Sequence, residues 1–123
     1  MTKRVLIVED DHDTRVFLKK RFESDHFECV CAESVEEGLK DLQTKKPNLV
    51  ILDLGFRRAN GTAFLQSAGE WTSPKGAIPP IIVLSGFSDP EIVDYVMAQG
   101  AAGFIPKPYD SNALMSLAHD CVA

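Results

Sequence analysis

A chain of 123 residues with 45% hydrophobic and 25% charged side chains can bury a core without metal or disulfide staples. Its net charge of -5, with no basic stripe, argues against nucleic-acid binding by this domain itself. Cys29, Cys31 and Cys121 make no CxxC pair and read as buried reduced thiols of a cytoplasmic protein; no apolar run has the length of a membrane span or the form of a signal peptide.

Residues 3–9 predict a first strand, because Val5-Leu6-Ile7-Val8 is apolar without interruption. The run ends on Glu9-Asp10-Asp11. Asp11 or Asp13 suits the cap of a helix reaching Ser24, with Val16, Phe17, Leu18 and Phe22 inward. Phe27 to Ala32 predicts a second strand, with Phe27, Cys29 and Cys31 on one side. Ser34, with Glu37 three residues on, has the pattern of a capping box. The helix it opens turns Val35, Gly38, Leu39 and Leu42 inward and stops at Lys45-Lys46-Pro47.

Leu49-Val50-Ile51-Leu52 then runs into Asp53, the pattern of a strand buried on both faces that delivers a carboxylate to the carboxyl edge of a sheet. Asn60-Gly61 marks a turn, and a short helix with Phe64 and Leu65 inward precedes a stretch broken by Gly69, Pro74, Gly76, Pro79 and Pro80. Ile81 to Leu84 predicts a fourth strand closing on Ser85-Gly86. Ser88, Pro90 and Glu91 open a helix with Ile92, Val93, Val96 and Met97 inward and Gly100 as its stop. A short strand from Gly103 to Pro106 meets Lys107-Pro108. A last helix starts at Asp110 or Ser111 and buries Leu114, Leu117, Ala118 and Cys121.

Five strands alternating with five helices predict a doubly wound α/β domain over residues 1–123, a three-layer sandwich with a parallel sheet. In the flavodoxin-like order 2-1-3-4-5, the ends of the first, third, fourth and fifth strands surround one crevice. They carry Glu9, Asp10 and Asp11, then Asp53, Ser85 and Lys107. So many carboxylates in one place call for a cation, and oxygen ligands favour a hard one such as Mg²⁺. An aspartate can attack phosphorus, while a hydroxyl and an ammonium can bind the phosphoryl oxygens.

From about Lys3 to Cys121 the sequence resembles a receiver domain of the two-component response regulators. The resemblance rests on Val5 to Asp11, on Asp53 ahead of a loop with Gly61, on Ser85-Gly86 and on Lys107-Pro108-Tyr109. It implies that Asp53 is the phosphoacceptor for a sensor histidine kinase or phosphotransfer protein, and that the domain is a signalling module rather than an enzyme. It further implies Mg²⁺ held by Glu9, Asp10, Asp53 and the backbone carbonyl of Gly55. Ser85 and Lys107 would bind the acyl phosphate, Phe104 would be a switch aromatic coupled to Ser85, and the Lys107-Pro108 bond would be cis. The face of the fourth helix, fifth strand and fifth helix would change for an output partner, or for a phosphorylation-dependent homodimer.

The loop after Asp53 departs from the family pattern, with Arg57 where a proline is usual and Arg58 next to it. Gly55 and Phe87 stand where polar side chains are common, which implies slow self-dephosphorylation. Two rivals remain: an unphosphorylated pseudo-receiver acting as an interaction module, and a phosphatase using Asp53 as nucleophile. The phosphatase would need a carboxylate at position 55. His12, His26 and His119 lack ligand spacing and read as surface residues, and Trp71 has no assigned role.

Overall fold

Uninterrupted apolar runs belong in the middle of a covered sheet, and the chain uses them there. The computed structural model describes residues 2–54, 63–68, 78–86 and 90–123. Its strands are β1 (Arg4–Val8), β2 (Glu28–Ala32), β3 (Leu49–Asp53), β4 (Ile81–Ser85) and β5 (Gly103–Pro106). They form one parallel sheet in the order β2-β1-β3-β4-β5. Every residue of β3 and β4 is buried, while the edge strands β2 and β5 are half-buried for most of their length. Each fully buried Val, Leu or Ile contributes about 1.5–3 kcal/mol relative to exposure, so the central strands dominate the core.

The helices are α1 (His12–Ser24), α2 (Val35–Lys45), the helical residues 63–68 as α3, α4 (Pro90–Ala98) and α5 (Ser111–Val122). Strand periodicity separates two cores. Val5, Ile7, Ile51, Ile82 and Leu84 pack with Leu18 and Phe22 of α1 and with Leu114, Met115 and Ala118 of α5. On the other face Leu6, Val8, Val50, Leu52 and Val83 meet Leu39 and Leu42 of α2, Phe64 and Leu65 of α3 and Val96 of α4. This is the flavodoxin-like three-layer arrangement expected from the alternation of elements.

The helix ends follow local chemistry. Asp11 caps α1 by accepting from Thr14 N–H at 2.8 Å, and Ser34 caps α2 through Glu37 N–H at 3.1 Å. The return half of the α2 box is displaced by one residue, since Glu37 Oε2 accepts from Glu33 N–H at 3.4 Å rather than from the cap. Asp110 caps α5 by accepting from Asn112 N–H. Two helices end in Schellman turns. Gly100 (φ 99°) closes α4, with Ala101 N–H bonded to Val96 O and Gly100 N–H to Met97 O. His26 (φ 69°) does the same for α1, with Phe27 N–H on Phe22 O.

Several inward assignments need correction. Phe17 is 53% and Met97 43% exposed. In α1 the buried stripe is Leu18 and Phe22, four apart, and Phe17 lies about 100° round the helix from it. In α4 only Val96 is fully buried, and Met97 is turned away by the same step. The three thiols are half-buried rather than buried. His119 is exposed but engaged, with Nε2 2.9 Å from Asp25 Oδ2 and its ring 5.2 Å from that of Phe27. The Asn60-Gly61 turn, Trp71, Arg57, Arg58, Phe87 and Ser88 lie outside the described residues.

Candidate functional site

The parallel register decides which side chains meet. Val8 pairs with Leu52, so Glu9 and Asp53, each one residue further, emerge side by side from adjacent strands. Asp53 is level with Leu84, and Ser85 with Pro106. Backbone bonds extend the sheet past its formal ends: Glu9 N–H to Ala32 O at 3.0 Å, Leu54 N–H to Leu84 O at 2.9 Å and Lys107 N–H to Ser85 O at 2.8 Å. The strand termini are therefore held rigidly at one edge.

Glu9, Asp53 and Ser85 are the buried polar or charged residues among those described. Lys107 reaches across from the end of β5 and places Nζ 2.6 Å from Asp53 Oδ2, whose side chain is fully covered. The Lys107-Pro108 bond is cis. Glu9 Oε1 accepts from Asp11 N–H at 2.8 Å, whereas Oε2 is buried without a hydrogen-bond donor. Burial, followed by the Asp53 carboxyl beside it, pushes the Glu9 carboxyl up to about 9. Asp11, in contrast, is held below the usual aspartate range by Thr14 and serves as a cap. Tyr109 packs close enough to feel Asp53 and Glu9. Its burial, and then those two charges, raise its phenol above the ordinary value.

Glu9, Asp10 and Asp53 line a cleft of about 340 Å³ whose far side carries Glu33, Ser34 and Glu36. On the opposite flank an open groove of about 760 Å³ runs along Thr14, Phe17, Lys107, Pro108 and Tyr109. Ser85 is wholly buried at the end of β4, and Phe104 is half-buried in the neighbouring strand. Since Val83 pairs with Phe104, strand alternation puts Ser85 and Phe104 on the same face of the sheet.

Mg²⁺ suits these donors, all hard oxygens, and the donorless buried Oε2 of Glu9 is an atom that a cation would satisfy. Among the described residues no three acidic, histidine or cysteine side chains converge closely enough to cage an ion. Gly55, the expected backbone ligand, lies outside them. Of the predicted site residues, Glu9, Asp10, Asp53 and Lys107 gather at this edge, with Ser85 at the neighbouring strand end. Sequence reasoning missed Arg15, whose guanidinium donates to Glu9 O at 3.0 Å. An arginine on the polar side of an amphipathic helix carries no pattern that would single it out.

Known proteins converge on the same architecture. The chain is 34% identical to the KDP operon transcriptional regulatory protein KdpE of Escherichia coli K12 over 112 residues, covering 91% of this chain and 48% of that protein. It is 32% identical to the transcriptional regulatory protein PdtaR of Mycobacterium tuberculosis, covering 92% and 53%. The chain thus spans about half the length of these relatives. A response regulator signal receiver domain from Bermanella marisrubri superposes with a TM-score of 0.88 at 27% identity, covering all of both chains. The family model described as response regulator receiver domain matches residues 5–119, and with the acidic edge and sheet order already in place this chain belongs to the response regulator receiver domain family.

Proposed function

We propose that residues 1–123 form a single receiver domain in which Asp53 accepts a phosphoryl group, with Mg²⁺, from a histidine kinase or phosphotransfer protein. Receiver domains of response regulators are signalling modules rather than enzymes in the usual sense, and they act with histidine kinases and output domains. The observation that carries the reading is the Lys107–Asp53 pair at 2.6 Å, with the buried Glu9 carboxyl beside it. A carboxylate with a cationic partner at a sheet edge is a nucleophile with its charge compensation in place.

An Asp53 oxygen attacks phosphorus, the phosphorus–nitrogen bond of the donor phosphohistidine breaks, and the electron pair stays on the imidazole. The product is an aspartyl phosphate. Glu9, Asp10, Asp53 and the Gly55 carbonyl would hold Mg²⁺, which supplies charge compensation for the acids and the transferring phosphoryl oxygens. Lys107 passes from the carboxylate to a phosphoryl oxygen, and the Ser85 hydroxyl donates to another. Phosphorylation adds about -1.5 to -2 charges, so both groups are drawn toward the phosphate.

Ser85 and Phe104 share a face, so movement of Ser85 toward Asp53 frees volume for the Phe104 ring. That couples the phosphate to α4, where Tyr95 and Met97 stand exposed as contacts for an output partner or a second copy of the chain. The groove beside Lys107, with Phe17 exposed on it, gives a phosphohistidine-bearing partner an apolar place to dock. The slow self-dephosphorylation implied by Gly55 and Phe87 belongs to this reading, and decay as fast in wild type as in a Gly55→Asn, Phe87→Glu variant counts against it.

Intact mass after incubation with acetyl phosphate and Mg²⁺ tests the central step. A phosphate-sized gain that EDTA and Asp53→Asn both abolish is the expected result. Mg²⁺ binding without any gain, from acetyl phosphate or from a phosphorylated kinase, would instead mark an unphosphorylated interaction module.

A further inference from the structure

Arg15 is engaged on both arms of its guanidinium at the acidic edge, where it meets backbone carbonyls and the Glu33 carboxylate. It sits one turn into α1 with its side chain only 12% exposed. Nη1 donates to Glu9 O at 3.0 Å and lies 3.5 Å from Asp10 O. Nη2 donates to Glu33 Oε1 at 3.1 Å and lies 3.3 Å from His12 Nδ1. One planar fork thus joins the end of β1, the start of α1 and the residue before the α2 cap. Glu33 lines the same cleft as Glu9, Asp10 and Asp53.

We propose that Arg15 is a positioning residue: its guanidinium fixes the Glu9-Asp10 backbone so that their carboxylates meet a divalent cation in a ready geometry. This rests on the receiver reading above. The backbone needs such a clamp because Glu9 is anchored by only one oxygen, through Asp11 N–H, while its other oxygen stays without a donor. A cation must draw the carboxylates of two consecutive residues, and the loop carrying them keeps their directions only if something outside the cluster holds its backbone. A lysine cannot do this. It is a point charge, whereas the two arms of a guanidinium span the carbonyls of one loop and the carboxylate of another.

Electrostatics alone makes the opposite prediction, which renders the idea testable. Removing a positive charge near a cation site strengthens cation binding; removing a positioning clamp weakens it. Groups that orient metal ligands typically contribute about 10–100-fold in affinity. Calorimetric Mg²⁺ titration of the wild-type chain, Arg15→Gln and Arg15→Lys should show affinity about tenfold weaker in Arg15→Gln, with Arg15→Lys no better than halfway restored. In the metal-free proteins, the Asp11 amide should exchange with solvent faster in Arg15→Lys than in wild type. Unchanged or tighter Mg²⁺ binding in Arg15→Gln overturns the proposal while leaving the receiver reading intact. Absence of Mg²⁺ binding in wild type overturns both. If Arg15→Gln fails to fold, Arg15→Lys decides: wild-type affinity and wild-type amide exchange would reject the clamp.

Discussion

Lys107 Nζ lies 2.6 Å from Asp53 Oδ2, an ion pair that reaches over β4 from the end of β5 to the end of β3. The Asp53 side chain is fully covered while Lys107 is 29% exposed, so the carboxylate depends on the ammonium more than the reverse. Breaking a fully buried pair costs about 3–5 kcal/mol, and exposed pairs contribute about 0–1. Lys107→Met should therefore lower metal-free stability by roughly 1–3 kcal/mol. Mg²⁺ should recover more stability in the variant than in wild type, because a cation replaces the lost charge. Urea unfolding with and without Mg²⁺ measures both, and equal Mg²⁺ effects in the two proteins would show that the ammonium does not compensate this site.

Glu9 gives the site a dependence on pH. Its carboxyl is raised from 4.5 to about 9, first by burial and then by Asp53. Between those values the folded chain holds a proton that the unfolded chain has released, so metal-free stability is fully present below about pH 4.5 and declines as pH rises toward 9. Glu9→Gln keeps the shape, removes the titration and should flatten that decline. Denaturation midpoints in EDTA at several pH values across the window read it directly. A slope unchanged by the substitution would place the titrating group elsewhere.

What the sequence made legible was whatever depends on period and on strand ends. Four apolar residues before Asp53 and four before Glu9 announce covered strands, and alternation of elements then places their carboxylates at one edge. The cis Lys107-Pro108 bond came from resemblance, not from any local signal. Failures occurred where helical faces are narrow. Phe17 and Met97 are each one residue beyond a buried neighbour, a 100° step that apolar composition alone does not resolve. Arg15 and His119 were missed because their roles depend on partners 18 and 94 residues away, Glu33 and Asp25. Long-range polar pairs leave no periodic trace.

Gly38 is a helix-interior glycine whose absence of a side chain is used. A Cβ there would lie 3.0 Å from Val8 Cγ2 and 3.1 Å from Phe64 Cε2, both in buried side chains. Gly38→Ala gains about 1 kcal/mol of helix propensity, while overpacking a tight core costs about 1–3. The neighbours belong to β1 and α3 and have little room to retreat, so packing should win by roughly 1 kcal/mol. A lower denaturation midpoint for Gly38→Ala checks this; a higher one would mean that Val8 relaxes freely. Gly103→Ala is the natural control. Its Cβ would meet only the flexible end of Leu117, which can turn away at smaller cost.

The last helix is fastened to the first by a polar clasp. Arg21 Nη1 donates to Asp25 Oδ1 at 2.6 Å, Arg21 Nη2 donates to Asn112 Oδ1 at 3.3 Å, and His119 Nε2 lies 2.9 Å from Asp25 Oδ2. His119, and then Arg21, hold the Asp25 carboxyl below its ordinary 3.8. Because the folded value is depressed, the stabilisation is fully present above the ordinary aspartate range and is lost as pH falls through the folded value. Asp25→Asn should therefore cost about 0.5–1 kcal/mol near neutral pH, the scale of a part-exposed pair, and the difference from wild type should shrink below about pH 4. Comparing Asp25→Asn, His119→Gln and the double variant by urea unfolding separates the two arms. If the histidine arm matters, the two single losses will sum to more than the double loss. Strict additivity would mean that Arg21 alone secures Asp25 and that the clasp reaches α5 only through Asn112, beside the apolar face of Leu114, Met115 and Ala118.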